Sequence, residues 1–277
     1  MSNKKPLLSA KHDIIFHLFF ADERNAEDLI ALLKSILDLP EDDYDGIEIS
    51  DPHLLPEYVG DKLAIIDVKL RTKNRKTIHI DIQVEVNQSL KNRIIFYGSK
   101  LITEQIGSGD EYHMINKVIS IIITDEKLIQ GSPNYRHRFS FYDPDAGVEF
   151  TDIIEIHSIE LKKLPQDTDG TALYDWAKFI AAETEEELDM IAQRNPQVGR
   201  AAVKLRELSA DERARDMFER REKGRRDIAA MIRDERFEIA RNAIQIGMEI
   251  NTIVKLTNLT YEEIEALSTQ QNRKGER

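Results

Sequence analysis

Two carboxylates, Asp67 and Asp81, lie on short alternating segments joined by a polar turn, a pattern able to hold a cation. Residues 65–70 and 78–86 each place Ile, Val and Leu on one face, the period-two signature of strands. Thr72-Lys73-Asn74-Arg75-Lys76 between them suits a hairpin loop. On the non-aliphatic face fall Asp67 and Lys69 from the first strand, and Asp81, Gln83 and Glu85 from the second. Carboxylates brought together this way need compensation. Asp oxygens suit Mg²⁺, which keeps most of its waters and takes one or two protein carboxylates. A metal so held can orient a water and stabilise charge at a phosphodiester. A sheet with one wet face would show the same alternation. Against that, Asp is disfavoured within strands and yet occurs in both. Spacing alone leaves both readings open.

Charge bears on the partner. The 277 residues include 51 acidic and 39 basic side chains, a formal net charge of −12. DNA binding is driven largely by Lys and Arg neutralising phosphates, so it would have to use a local basic surface. Arg71, Lys73, Arg75 and Lys76 crowd the hairpin and Arg93 follows, which makes them the candidate DNA contacts. The absence of cysteine excludes disulfides, thiol chemistry and a zinc ribbon. His12, His17, His79, His113, His137 and His157 show no paired metal-ligand spacing and read as structural or surface residues. His79 is expected to point away from the Asp81 face. The basic opening Met1-Ser2-Asn3-Lys4-Lys5-Pro6 precedes no apolar segment, and no run is long enough to span a membrane. The expectation is a soluble cytoplasmic protein with no membrane partner.

Around the hairpin the elements alternate. Residues 28–39 have amphipathic helical spacing that ends before Pro40, and residues 93–105 read as another helix. Residues 118–123 are so apolar that they predict a central strand buried on both faces. The acidic stretch 38–45 reads as a solvated loop. After residue 170 nearly everything is helical, with capping-box pairs Thr184/Glu187, Ser209/Glu212 and Thr260/Glu263. Residues 210–247 predict one long helix with a narrow apolar seam. Two short helices then resemble a helix-turn-helix. Glu262, Glu263 and Glu265 on the second would repel phosphate, which ranks self-association above DNA reading for this tail.

Asp67 followed after a hairpin by Asp81-Ile82-Gln83 resembles the PD-(D/E)xK nuclease core in its D…(D/E)xQ variant. The whole chain is similar to the recombination-promoting nuclease (Rpn) family of PD-(D/E)xK transposases. The resemblance is carried by Asp13-x-x-Phe16-x-x-x-Phe20, Arg93-x-x-x-Tyr97, Leu101-x-x-x-Gln105 and the run from Glu155 to Leu164. Trp176-Ala177-Lys178-Phe179 and the ending from Ile253 to Ile264 add to it. It implies an α/β fold: a PD-(D/E)xK restriction-endonuclease-like core, with a mixed central sheet flanked by helices, over residues 1–170. A helical C-terminal region would occupy residues 171–277 and serve self-association or partner binding.

The resemblance further implies Asp67 and Asp81 as metal ligands, with Asp13 adding an acidic group from the opening helix, and Gln83 at the position of the motif's lysine. The cofactor would be Mg²⁺, with Mn²⁺ able to replace it. Three positions depart from the pattern: Ile66 where Pro is usual, Asp81 where Glu is commoner, and Gln83 for Lys. A neutral amide orients water but does not stabilise an oxyanion as Lys does, and Lys69 could supply that charge from the neighbouring strand. The expected function is a metal-dependent DNA endonuclease linked to recombination or mobile-element activity, forming a homo-oligomer through the C-terminal helices. A catalytically weak DNA- or partner-binding protein on the same fold is the alternative. Strand transfer ranks below hydrolysis, because no RNase H-like D-D-E layout is present.

Overall fold

β-branched runs form the central strands of the computed structural model, and amphipathic stretches form its helices. In chain order come α1 (Asp13–Phe20), α2 (Ala26–Ile36), β1 (Glu48–Ser50), β2 (His53–Leu54), β3 (Ala64–Ile65), β4 (Val68–Arg71) and β5 (Thr77–Gln83). Then follow α3 (Leu90–Thr103), β6 (Val118–Thr124), β7 (Arg136–Asp143) and β8 (Val148–Glu160). The remainder is helical: α4 (Ala172–Ala181), α5 (Glu185–Arg194), α6 (Pro196–Ala210), α7 (Glu212–Gln245), α8 (Ile250–Thr257) and α9 (Tyr261–Gly275). The structure describes residues 5–50, 53–54, 64–65 and 67–275. Ile66 and the basic opening residues 1–4, on which two expectations rest, lie outside the described residues.

Six strands pair in the order β1-β4-β5-β6-β8-β7, and β2 pairs with β3 separately. β5, β6 and β8 run parallel, while β1, β4 and β7 are antiparallel to their neighbours. The sheet is therefore mixed, with helices beside it. All seven residues of β6 are buried, as its unbroken apolar run predicts for a strand covered on both faces. α3 lies over β6, packing Leu90 and Ile94 on Ile122, and Leu101 on Val118. Gly98 permits the approach, since a Cβ there would stand 3.3 Å from Ser120 Oγ.

The chain divides into two compact units, residues 1–215 and 216–277. Helices α4 to α6 belong to the first, where Phe16, Phe19 and Phe20 of α1 share an aromatic cluster with Trp176 and Phe179 of α4. The second unit has its own small core of Ala240, Ala243, Ile253, Leu259, Ile264 and Leu267.

Several expectations change in detail. The first hairpin strand is interrupted: β3 ends at Ile65, Asp67 sits in a bend, and β4 begins at Val68. Asp67 is a poor strand residue, and its carboxylate makes its own bond to the neighbouring backbone. β5 ends at Gln83, so Glu85 lies beyond the ladder and is exposed. Asp43, expected in a solvated loop, is 0 % exposed and accepts from Thr72 Oγ1 at 3.1 Å and Lys76 Nζ at 2.5 Å. Thr184 and Thr260 make their capping boxes. Ser209 instead lies inside α6 and accepts the Leu8 N–H, so Asp211 caps α7 by accepting from Ala214 N.

Candidate active site

The β4–β5 register fixes the relation of the two aspartates. Val68 pairs with Ile80, so one further step brings Asp67 level with Asp81. Asp67 Oδ2 accepts the Ile82 N–H at 2.6 Å, tying this carboxylate to the strand that carries Asp81. The Asp67 carbonyl in turn accepts from His17 Nδ1 at 2.6 Å. His17 and Asp13 stand four residues apart on α1, on one helical face. The Asp13 charge is felt at Asp81, where it favours the protonated carboxyl.

Asp81 is 4 % exposed. Its Oδ1 accepts from Gln83 Nε2 at 2.9 Å, and its Oδ2 receives an Arg93 guanidinium nitrogen at 3.4 Å. Burial pushes the Asp81 carboxyl above its ordinary range and Asp13 adds to this, while Arg93 and Gln83 only partly oppose it. Arg93 also lies over the Tyr97 ring, at 6.0 Å from its centroid. The Tyr97 phenol is raised by burial first; Arg93 opposes this, and Asp81 and Asp67 add to it. Asp13, Asp67, Asp81, Gln83, Arg93 and Tyr97 thus share one neighbourhood.

The remaining candidate residues lie elsewhere on the hairpin. Lys69 Nζ bonds Glu104 Oε2 at 3.1 Å and pairs across the ladder with His79. Arg71, Lys73 and Arg75 line a groove of about 760 Å³ shared with Asp45, Glu48 and Glu104. That groove is at the loop end of the hairpin; from Asp81 back to Thr77 is roughly 13 Å at about 3.3 Å per residue. Lys76 is ion-paired with buried Asp43.

His79 corrects a reading of the alternation. Residues 79 and 81 are two apart on β5, so both face α3, whereas His79 was expected on the opposite side. It is 1 % exposed and bonds Ser120 Oγ at 2.5 Å. Burial, and then the Lys69 charge, lower its pKa to about 3. His17 is the residue that sequence reading passed over. Its signal was the Asp13-x-x-x-His17 spacing, which aims two polar groups from one turn of α1.

Among the described residues no cluster of three or more His, Cys, Asp or Glu forms a ready cage for a metal. The donor chemistry nevertheless fits a hard divalent cation. Two aspartates on adjoining backbone offer oxygen ligands, and buried Asp81 has one long contact to a cation as its charge compensation. Mg²⁺ takes one or two carboxylates and fills its remaining positions with water.

Residues 10–235 match the family described as PD-(D/E)XK nuclease family transposase. The chain belongs to this family. Residues 233–269 match the C-terminal HTH domain of the Rpn/YhgA-like nuclease family. No curated protein and no solved structure matches the chain. PD-(D/E)XK nucleases generally use divalent metals. In this PD-(D/E)XK family member the HTH segment comprises the end of α7, then α8, a turn through Asn258 in the left-handed conformation (φ 56°), and α9. Glu263, one of the acids that ranked DNA reading second for this tail, is engaged internally. Its carboxylate accepts from Thr260 N at 2.9 Å and from Arg233 at 2.6 Å.

Proposed function

We propose that this PD-(D/E)XK family member is a Mg²⁺-dependent DNA endonuclease that hydrolyses phosphodiester bonds in recombination or mobile-element activity. The observation that carries the reading is the bond from Ile82 N–H to Asp67 Oδ2, which holds one carboxylate level with the other at the end of the hairpin. Asp67 and Asp81 would hold the ion, with Asp13 adding negative charge from α1. When bound, the metal supplies Lewis-acid stabilisation of charge at the phosphate and orients a water for attack. Gln83 keeps the Asp81 carboxylate oriented through its 2.9 Å bond. Lys69, paired with Glu104, would add positive potential beside the phosphate only on leaving that partner. Mn²⁺ would replace Mg²⁺ at oxygen ligands of this kind.

DNA would be gathered by Arg71, Lys73 and Arg75 along the hairpin groove, by Arg93 at the site, and by the HTH segment. Lys76 would join them only on leaving Asp43. Self-association through the C-terminal helices is supported by Ile228, Met231, Ile232 and Ile239, which form an exposed apolar row on α7. No helix among the described residues is long and apolar enough to cross a membrane, and a cytoplasmic location accords with a DNA substrate.

One feature favours a second reading, a weakly catalytic DNA-binding protein on the same fold. Both Asp81 oxygens are engaged, by Gln83 and Arg93, and no lysine occupies the motif's third position. Plasmid cleavage by the purified chain separates the two, run with Mg²⁺, with EDTA, and with Asp81→Asn. Metal-dependent cleavage abolished by the substitution is the expected result. A wild type that binds DNA and leaves it intact would select the second reading.

A further inference from the structure

We infer that Arg93 is an exchangeable counter-charge: it neutralises Asp81 while no metal is bound and moves to the DNA phosphate once a metal takes its place. The inference rests on the nuclease reading and deepens it, because it locates on α3 the cation that Gln83 does not provide.

The Arg93–Asp81 contact has the geometry of a provisional partner. One guanidinium nitrogen reaches Oδ2 at 3.4 Å, whereas committed charge-assisted pairs sit at about 2.7–2.9 Å and are often bidentate. Arg93 Nε is buried and has no hydrogen-bond partner among the described residues. A buried donor left unpaired is costly, so the side chain is under-satisfied where it stands. Its remaining surface opens outward, the side chain being 32 % exposed, while Asp81 behind it is enclosed. The guanidinium therefore lies between the buried carboxylate and the outside.

The neighbouring cations are committed elsewhere. Lys69 is paired with Glu104, and Lys76 with Asp43. Lys100 is buried beside the Phe96 ring, 6.0 Å from its centroid. Arg93 and Tyr97 stand one helical turn apart on α3, so the ring gives the guanidinium a surface to lie on in either position. A divalent ion on Asp81 would repel the guanidinium at once. Phosphate is its better partner, since two of its donors can then be met at once in a planar fork. Metal binding and phosphate capture are thus coupled through one side chain.

The test uses the full chain and two readouts, Mn²⁺ affinity by electron paramagnetic resonance and plasmid cleavage in Mg²⁺. Arg93→Gln is expected to bind Mn²⁺ about three- to tenfold more tightly than wild type, having no counter-charge to displace, and to cleave at least 100-fold more slowly. A residue with a merely structural role would weaken both together. Arg93→Lys keeps the charge without the fork; it should hold wild-type Mn²⁺ affinity and thermal stability and cleave about tenfold more slowly. That variant carries the test if Arg93→Gln does not fold. Unchanged or weaker Mn²⁺ binding in Arg93→Gln, or wild-type cleavage by either variant, overturns the inference while leaving the nuclease reading standing. A wild type that neither binds Mn²⁺ nor cleaves overturns both.

Discussion

His17 donates from Nδ1 to the main-chain carbonyl of Asp67 at 2.6 Å, across fifty residues of sequence. The acceptor is a carbonyl oxygen, so Nδ1 must carry the proton. The bond pins the bend that interrupts the first hairpin strand and thereby sets where the Asp67 carboxylate can point. On the other side of the same residue, Ile82 N–H holds Oδ2. Asp67 is gripped by α1 through its backbone and by β5 through its side chain.

His17→Ala should therefore lower cleavage about 10- to 100-fold by loosening Asp67, at a stability cost of about 1 kcal/mol for one hydrogen bond. Plasmid nicking rates and a thermal melt on the same preparation check this. Wild-type cleavage would show that the bend holds its position without α1.

Asp67→Asn and Asp67→Ala should part company. The amide oxygen of Asn can still accept the Ile82 N–H, whereas Ala leaves that donor unpaired at about 1–3 kcal/mol. Both should abolish metal-dependent cleavage, and only Ala should lower the melting temperature. Cleavage by the Asn variant would remove Asp67 from the catalytic set.

His79 makes folding stability depend on pH. Its pKa is about 3 when folded, against 6.5 for the free side chain. Below pH 6.5 the unfolded chain takes up a proton that the folded chain refuses until about pH 3, so stability falls as pH falls through that window. The loss approaches about 1.4 kcal/mol per pH unit at most. His79→Gln should flatten urea-denaturation midpoints between about pH 3 and pH 6.5, the two pKa values that bound this titration. An unchanged pH profile in that variant would mean the imidazole is not refusing its proton.

Thr260 caps α9 through its Oγ1, which accepts Glu263 N–H at 3.2 Å, and the Glu263 carboxylate returns to Thr260 N. Thr260→Ala should cost about 1 kcal/mol of local stability. It should also weaken DNA binding if this segment reads DNA. Hydrogen exchange at the start of α9 tests the first effect, and fluorescence anisotropy with duplex DNA the second. Equal exchange rates in variant and wild type would show that the cap is dispensable.

The second hairpin strand as far as Gln83, the buried central strand β6 and the helices α2 and α3 were legible in the sequence, because each announces itself through the period of its apolar residues; the break at Asp67 in the first strand was not. So were the Thr184 and Thr260 caps, whose partners lie three residues away. Ser209 matched the same motif and was claimed by α6 and Leu8 instead, a contact across two hundred residues. Asp43 looked like one acid among several in a loop until Lys76 and Thr72 closed over it.

The sequence by itself determined the identities that could do chemistry, Asp13, Asp67, Asp81, Gln83 and Arg93, and the strand and helices that carry all of them but Asp67. Periodicity and turn chemistry act over a few residues, and those signals are written locally. Only the tertiary structure decided that Asp67 sits in a bend held by His17 and Ile82, that Arg93 occupies Asp81, and that Lys69 and Lys76 are taken by other acids. These are choices among competing partners far apart in the chain, and they are made by which faces come together when the sheet and α3 pack.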